Sequence, residues 1–304
     1  MMCDAVSRIL WQLLRGCPIG LCLSLSYVAN SLASVDVCQQ PADYSHLSVA
    51  YSDHERSAFE GGVGHTNQEN HNFDLLFKMN GTWAFGVGHR HDKLGVDQID
   101  LQTNGYLHTL FFPLHKLSES DRKGFRLSIA PALSASSNIV DDPGEYSADA
   151  FQLLVALVWS RGLSDTATLR YGVCGDNRFG DYELYPSISI AWQPHADWTI
   201  ELGFPTTRLT YQASRNLSSS LRIAPDGNEW HVKNADMDKQ SQLVYEASLL
   251  EWALNWQTKE NFTITASVGR QFHNRYDVTL RDDRRVRLSS DSVTRIGAAL
   301  AWRF

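Results

Sequence analysis

The last segment of the sequence, Thr294–Phe304, alternates between two kinds of side chain. An extended strand points successive side chains to opposite faces. One face of this segment is apolar and ends in two aromatic residues, Trp302 and Phe304, while the opposite face is small or basic and includes Arg295 and Arg303. A strand of this kind suits the wall of a membrane β-barrel, whose apolar face meets lipid. This alternation restricts the fold more than any other feature of the chain.

The average composition hides this signal. The chain has 304 residues, of which 43% are hydrophobic and 20% are charged, and its mean hydropathy is -0.28. A barrel that alternates lipid-facing and lumen-facing residues averages to a value that looks soluble. Beyond the amino-terminal region there is no apolar run of the roughly 18 residues that a transmembrane helix needs. We therefore interpret the chain by alternation and predict transmembrane strands.

The amino terminus has the three parts of an export signal. Arg8 and Arg15 precede an apolar core, Ile19–Val28, and small residues ending at Ala33 follow it. This order is typical of a cleaved signal peptide. The predicted organisation is a signal peptide at 1–33, a short periplasmic segment at 34–44 and an outer-membrane β-barrel at 45–304.

Charge and cysteine content limit the partners. The formal net charge of -7 at pH 7 predicts no nucleic-acid partner, because such partners require basic surfaces. Of the five cysteines, only Cys38 and Cys174 lie beyond the predicted signal peptide. Two cysteines are too few for a disulfide framework, and their wide separation leaves their pairing open. We predict no cofactor.

From about position 45, alternating segments are separated by linkers of two lengths. Short turns such as Asn80-Gly81 and Pro194–Asp197 alternate with long polar linkers such as Ser52–Asn70 and Gln271–Asp291. This pattern predicts an all-β, transmembrane, antiparallel, up-and-down β-barrel of about 14 strands, with short periplasmic turns and long extracellular loops. The connection Phe204–Thr207 is tight where a long outer loop is expected. The hairpin is therefore either recessed or miscounted, and 12 strands is the alternative.

Tryptophans support this layout. Amphipathic indole rings favour the headgroup level of a membrane and form an aromatic girdle at its edge. A soluble β-sandwich with an aromatic core would not gather its tryptophans at one end of the strands. Trp230 and Trp252 are exceptions, since Trp252 lies in the middle of a strand and Trp230 in a predicted outer loop that begins at Ala224–Gly227. Such a loop folds either inward, where it constricts the lumen, or outward, where it meets a partner. Six tryptophans lie beside a predicted periplasmic turn or chain end: Trp83, Trp159, Trp192, Trp198, Trp256 and Trp302.

Charged residues occupy the strand face opposite the apolar one. Arg or Lys facing lipid at the midplane costs about 2–4 kcal/mol, so we expect these side chains in the lumen. They indicate either a narrow passive channel for small polar or anionic solutes or a structural barrel whose arginines pair with acids. Arginine outnumbers the acids, which favours the channel. The lumen-lining candidates are Arg126, Arg170, Glu201, Arg208, Arg222, Glu251 and Arg295.

Histidines concentrate in the first part of the chain and raise the question of a metal site. His89 and His91 stand two residues apart, which would place both imidazoles on one strand face. A cation site at the outer rim is conceivable, but the spacing is not diagnostic of any metal. We predict no metal.

An outer-membrane enzyme acting from the outer rim, of lipid hydrolase or protease type, is the alternative function. Gly64–Asn67 is faintly similar to the His-x-Ser-Asn motif of the outer-membrane phospholipase, but it lacks the serine nucleophile. The acidic pairs Asp141-Asp142 and Asp282-Asp283 fit solvated loop tips better than a protease site. We therefore predict no enzymatic activity.

Three stretches carry a wider resemblance: Thr103–Leu110, Glu201–Pro205 and Ala224–Gly227. They resemble an uncharacterised, porin-like family of proteobacterial outer-membrane β-barrel proteins without assigned activity. The terminal strand likewise resembles the last strand of bacterial outer-membrane barrels, which implies that Trp302 and Phe304 form the assembly signal for the barrel assembly machinery. The resemblance implies a monomer surrounded by outer-membrane lipid, with both termini periplasmic.

Overall fold

A computed structural model describes most of the chain. The predicted signal peptide lies outside the described residues, as do Asn80, Thr103, Asn104 and the acidic pair at 282–283. Among the described residues, no helix is long and apolar enough to span a membrane. The described residues are 36–39, 44–61, 64–79, 81–97, 105–117, 123–142, 144, 146–233, 240–258, 261–279 and 284–304.

Nearly all of these residues belong to one sheet. A short helix, α1 (Ser137–Val140), and a 3-10 turn at Ala148–Ala150 interrupt it. The strand segments are β1 (His46–His54), β2 (Ser57–Ala58), β3 (His65–Met79), β4 (Trp83–Asp97), β5 (Tyr106–Phe111), β6 (Leu114–Lys116), β7 (Lys123–Ser136), β8 (Phe151–Ser164), β9 (Ala167–Asp176), β10 (Glu183–His195), β11 (Trp198–Phe204), β12 (Thr207–Ser214), β13 (Leu217–Pro225), β14 (Asn228–Lys233), β15 (Gln240–Gln257), β16 (Phe262–Thr279), β17 (Arg285–Ser290) and β18 (Val293–Arg303).

The sheet closes into a barrel because β1 pairs with both β3 and β18. His46 faces Leu76 in one pairing and Arg303 in the other. Four of the 18 segments continue another after a short interruption: β2 continues β1, β6 continues β5, β14 continues β13, and β18 continues β17. The barrel therefore has 14 spanning strands, which confirms the predicted all-β antiparallel barrel and the larger of the two predicted counts.

The outer face of the wall is apolar. Val49, Phe73, Leu202 and Ile296 come from different strands, and each is exposed although it is large and hydrophobic. A continuous apolar surface of this kind marks a face that lipid covers. The six girdle tryptophans are all exposed on it, and mid-strand Trp252 donates its indole N–H to the Ser219 hydroxyl at 2.8 Å. A hydrogen-bonded indole is tolerated in an apolar belt.

The short hairpin of β11 and β12 is recessed. Its paired positions run only from Trp198 opposite Tyr211 to Glu201 opposite Arg208, whereas β13 extends further towards the outer side. The tight connection beginning at Phe204 is therefore part of a 14-stranded barrel. Above this hairpin the outer loop between β9 and β10 folds over the wall, and the rings of Phe179 and Phe204 stack with centroids 5.6 Å apart.

Because the hairpin is short, β13 loses its neighbour beyond Ile223, and the chain bends inward. Buried backbone N–H and C=O groups need hydrogen-bond partners. β14 pairs with β15 on one edge and crosses the barrel to β7 on the other, with a parallel bridge between His231 and Ala135. On this crossing edge, Ser134 Oγ donates to the carbonyl of Glu229 and Asn138 Nδ2 to that of Lys233.

The inward bend places Trp230 inside the barrel. It belongs to strand β14 and is 1% exposed, so it does not lie in an outer loop as predicted; of the two directions left open for that loop, the chain takes the inward one. Gly227 permits the bend, because a Cβ there would lie 2.7 Å from the backbone oxygens of both Arg178 and Tyr245. The resulting apolar cluster fills the outer half of the lumen beside β14, and we call it the outer cluster: Phe59, Leu94, Leu107, Trp230, Val232, Leu243, Tyr245, Ala247, Tyr276, Val278 and Leu288.

Candidate functional site in the barrel lumen

Five of the seven lumen-lining candidates share one register row on the inner wall. Residues paired across neighbouring strands point to the same face of a sheet. The alternation of the sequence predicts the inner face of each strand, but it cannot predict which inner residues meet. The row runs across β11, β12, β13, β15, β16 and β18 through Glu201, Arg208, Arg222, Glu251, Gly269 and Arg295.

Four of the seven candidates pair with one another in two ion pairs. Arg222 and Glu251 are joined by 3.0 Å between Nη2 and Oε1, and each side chain is 6% exposed. Arg170 on β9 reaches over β10 to Glu201, also at 3.0 Å, with exposed side-chain fractions of 20% and 32%. The first pair is shielded from water, whereas the second lies where water reaches the lumen. Charge-assisted bonds of this kind join strands of the wall to one another.

Arg295 binds the carboxylate of Asp226, a residue predicted at the start of an outer loop. Its Nη1 lies 3.1 Å from Oδ2 of Asp226, the residue at the inward bend. The amide of Gln271 donates to the same oxygen at 2.6 Å. Asp226 belongs to the stretch Ala224–Gly227, whose resemblance to outer-membrane barrels suggested no role for it. Its role depends on the bend, which brings a residue beyond β13 against β16 and β18.

Arg126 and Arg208, the two candidates whose partners have not yet been described, contact the N-terminal segment Asp36–Gln39. Arg126 Nη2 donates to the backbone carbonyl of Cys38, and Arg208 Nη2 donates to Gln39 Oε1 at 2.9 Å. Residues 34–44 are predicted to form a short periplasmic segment. The four described residues of this segment lie against the inner wall of the barrel.

A disulfide between Cys38 and Cys174 on β9 holds this segment, with the Cα atoms 5.9 Å apart. The pairing that the sequence left open is therefore made. Val37 is 2% exposed and packs in an apolar cluster with inner residues of β7 and β8. Asp36 closes the turn locally, because its Oδ1 accepts the backbone N–H of Gln39 at 2.9 Å.

Arg178, in the outer loop after β9, clamps the same segment. Its guanidinium lies 2.6 Å from Asp36 Oδ2 and 2.9 Å from Asp176 Oδ2. Burial lowers the pKa of Arg178, but the two carboxylates outweigh it and raise the pKa above its usual value, so the group stays charged. Ligand atoms of Asp36, Cys38 and Asp176 lie within 4.8 Å of one another, as a metal site would require. The disulfide and Arg178 already engage them.

Three of the histidines form a row on the outer surface of the barrel. His71, His91 and His108 are in register across β3, β4 and β5, and the rings of His91 and His108 stack with centroids 4.8 Å apart. His89 Nε2 lies 3.1 Å from His108 Nδ1. His89 and His91 thus share a face as predicted, and this face lies outside the lumen.

The stretch that is faintly similar to the phospholipase motif forms no catalytic pair. His65 and Thr66 are consecutive residues of β3, with His65 exposed and Thr66 buried. Successive side chains of a strand point to opposite faces. A histidine outside the barrel cannot activate a hydroxyl inside it, because a nucleophile and its base must lie within hydrogen-bond reach.

Residues 125–287 match the model of a protein family described as a domain of unknown function, DUF6268. The match covers more than half of the chain. The protein belongs to this family. No curated protein matches the sequence. With a closed wall, an apolar outer face and an aromatic girdle, this member of the family is an outer-membrane β-barrel protein.

Several solved outer-membrane proteins are similar to this chain. The COG4313 outer membrane channel from Pseudomonas putida F1 is 11% identical, with a TM-score of 0.46 over 90% of this chain and 100% of that one. A TodX deltaS2S3 mutant, a monoaromatic hydrocarbon channel, is 10% identical, with a TM-score of 0.47 over 87% and 91%. The KdgM porin is 9% identical, with a TM-score of 0.37 over 84% and 99%. Similarity at this level does not bear on what this chain transports.

Proposed function

We propose that the protein is a narrow passive channel of the outer membrane for small polar or anionic solutes, and that the structure describes its closed form. The supporting observation is the direct pairing of Arg208 with Arg222 in the inner row. Like charges directly opposite each other destabilise a strand pair. Glu201 lies opposite Arg208 and Glu251 opposite Arg222 on the outer sides of this pair. The two adjacent arginines still form a basic stretch in the middle of the row, which favours a pore that attracts anions.

The two halves of the lumen differ in their access to water. Towards the end that carries the short turns, Arg170 and Glu201 are partly exposed, and Asp74 there pairs with partly exposed His46 at 3.1 Å. Towards the other end, the outer cluster fills the space beside β14. A solute can therefore enter from the short-turn side and is stopped halfway. The terminal strand ends at that open side, and we infer that it is periplasmic, with both termini.

A structural barrel is the second candidate, and a specific observation favours it. Each of the five arginine candidates forms a hydrogen bond with an oxygen of the protein. The oxygen belongs to a carboxylate for Arg170, Arg222 and Arg295. It belongs to an amide group for Arg126 and Arg208. A guanidinium that is bonded to oxygens of the protein depends less on water. Conductance separates the two candidates, because a filled barrel passes no ions.

The experiment is planar-bilayer recording of the refolded full-length protein, in oxidised and in reduced form. We expect discrete conductance steps with a reversal potential that indicates anion selectivity. Arg170→Gln should reduce that selectivity, because it removes a charge from the water-filled half. The matched control is Arg275→Gln, since Arg275 is also paired with a glutamate but is 53% exposed near the far end of β16. Absence of steps at every voltage in both redox forms would leave the structural barrel.

A further inference from the structure

We infer that the outward face of β16 and β17 binds an anionic lipid of the outer leaflet, a glycolipid whose headgroup carries more than one phosphate. The inference goes beyond the channel and rests only on the orientation inferred above, with the short turns in the periplasm. Four exposed arginines form the site, and we call them the arginine ladder: Arg270, Arg275, Arg285 and Arg287.

The arginine ladder begins where the lipid-facing surface ends. Val268 and Ile296 are in register on β16 and β18, and both are exposed apolar side chains. Arg270 follows Val268 by two residues, which places it on the same face and one step further from the short turns. Its Nη1 donates to the hydroxyl of Thr294 on β18 at 3.2 Å. A guanidinium at this edge of the apolar belt lies at the level of the lipid headgroups.

A β-bulge brings Arg275 onto the same face. His273 and Asn274 on β16 lie opposite the single residue Ala247 on β15, and His273 has a φ of 57°. A bulge of this kind adds one residue to a strand and re-aims the side chains beyond it. Without the extra residue, Arg275 would point into the lumen. With it, Arg275 is exposed outside the barrel, and its neighbour Tyr276 enters the outer cluster.

Two arginines of β17 extend the ladder away from the membrane. Arg287 is in register with Asp277, and Arg285 is in register with Thr279 beyond it. Arg275 and Arg287 are diagonal neighbours, about 7–8 Å apart on this face. The ladder is therefore elongated along the strands. A headgroup whose phosphates lie at successive levels matches such a ladder, whereas a lipid with a single phosphate contacts only one level.

The carboxylates on this face leave the arginines open to a stronger acceptor. Arg275 lies 3.6 Å from Glu246, and its side chain is 53% exposed. Arg287 lies 3.8 Å from Asp277 and is 70% exposed. Exposed ion pairs contribute little, and a guanidinium forms shorter and stronger bonds with phosphate. The described part of β15, β16 and β17 presents four arginines and two carboxylates on this face, although the formal net charge of the chain is -7.

Lipid titration tests the site. The full-length protein is refolded in a neutral detergent and titrated with diphosphorylated lipid A, and native mass spectrometry gives the fraction of protein with bound lipid. Arg275→Gln with Arg287→Gln should weaken binding about tenfold or more, because each arginine adds its own attraction to the phosphates. The matched control is Arg161→Gln with Arg215→Gln, which removes two exposed arginines at the short-turn end and should leave binding unchanged.

A variant that should bind more tightly makes the test independent of folding. Glu246→Gln with Asp277→Asn removes the two carboxylates that compete for the arginines. We expect binding to become about threefold tighter or more, because the phosphates no longer displace an ion pair. A loss of folded protein cannot produce such an increase. Weaker binding by this variant would overturn the inference.

Comparison lipids identify the occupant. Phosphatidylglycerol, which has one phosphate, and lipid A without phosphates should both bind at least about tenfold more weakly than the diphosphorylated form. Inorganic phosphate in excess over the lipid should not displace it. Equal binding by phosphatidylglycerol, or displacement by inorganic phosphate, would overturn the assignment to a glycolipid with several phosphates.

The remaining outcomes separate the site from the channel. Equal binding by the parent protein and by the variant lacking Arg275 and Arg287 would overturn the site. Loss of binding in the variant lacking Arg161 and Arg215 would overturn both the site and the inferred orientation. Conductance is recorded separately in planar bilayers, so failure of the lipid site leaves the channel proposal standing, and absence of conductance leaves the lipid site standing.

Discussion

Two regions obstruct the same lumen by different physical means. In the outer half, Trp230 packs against side chains of the surrounding strands in an apolar cluster. Further along the lumen, the N-terminal segment is held by a disulfide, by the ion pair of Asp36 with Arg178 and by hydrogen bonds from Arg126 and Arg208. The first obstruction belongs to the wall, and the second is an added piece of chain.

The difference concerns what each region contributes to stability. Apolar burial contributes about 25 cal/mol per Å² and is lost only when the surrounding strands separate. Polar bonds to a terminal segment exchange with bonds to water or to a solute at little net cost. The outer cluster therefore depends on apolar burial within the wall, whereas the N-terminal segment depends on one disulfide and on polar bonds to side chains of the wall.

The largest expected effect comes from the outer cluster. Trp230→Ala should destabilise the barrel by roughly 3–5 kcal/mol, because it removes a buried aromatic side chain and leaves a cavity. Urea unfolding in detergent micelles measures the loss. Trp252→Ala is the matched control, since this tryptophan is on the lipid-facing surface. If Trp252→Ala lowers the free energy of unfolding by as much, the packing of Trp230 inside the barrel is not what stabilises the protein.

The buried ion pair should give the next largest effect. Arg222→Met leaves Glu251 buried and unpaired, which typically costs about 3 kcal/mol or more. Adding Glu251→Leu should recover most of that loss in the same unfolding assay, because a buried pair can be replaced by apolar side chains at little cost. If the single and double variants are equally unstable, charge neutralisation is not the main contribution of Arg222 and Glu251 to stability.

The partly exposed ion pair should give the smallest effect on stability. Replacing Arg170 with Gln should cost less than about 1 kcal/mol, because water screens the charges of Arg170 and Glu201. The unfolding midpoint checks this, and ion selectivity is recorded on the same protein. If Arg170→Gln lowers the free energy of unfolding as much as Arg222→Met does, the Arg170–Glu201 pair is shielded from water. The lumen would then have no water-filled half.

The barrel wall could be predicted from the sequence, but the two parts of the chain that enter the lumen could not. Trp230 was predicted in a loop because a long polar linker was expected there. A signal was present, since Trp230 and Val232 alternate with the polar residues Glu229, His231 and Lys233, as in a strand. The N-terminal segment had no such signal. Asp36 and Gln39 look like ordinary linker residues, and their role depends on side chains of distant strands.

By itself, the sequence determined the antiparallel barrel wall, its apolar outer face and the charged inner face of each strand, but it left the number of strands at about 14 with 12 as the alternative. These properties depend on local backbone geometry, which sends successive side chains to opposite faces whatever the neighbouring strands are. Only the tertiary structure decided that Arg208 meets Arg222, that Asp226 meets Arg295, and that two parts of the chain enter the lumen. Strand register and inward folding depend on contacts between residues far apart in sequence, which a local pattern does not encode.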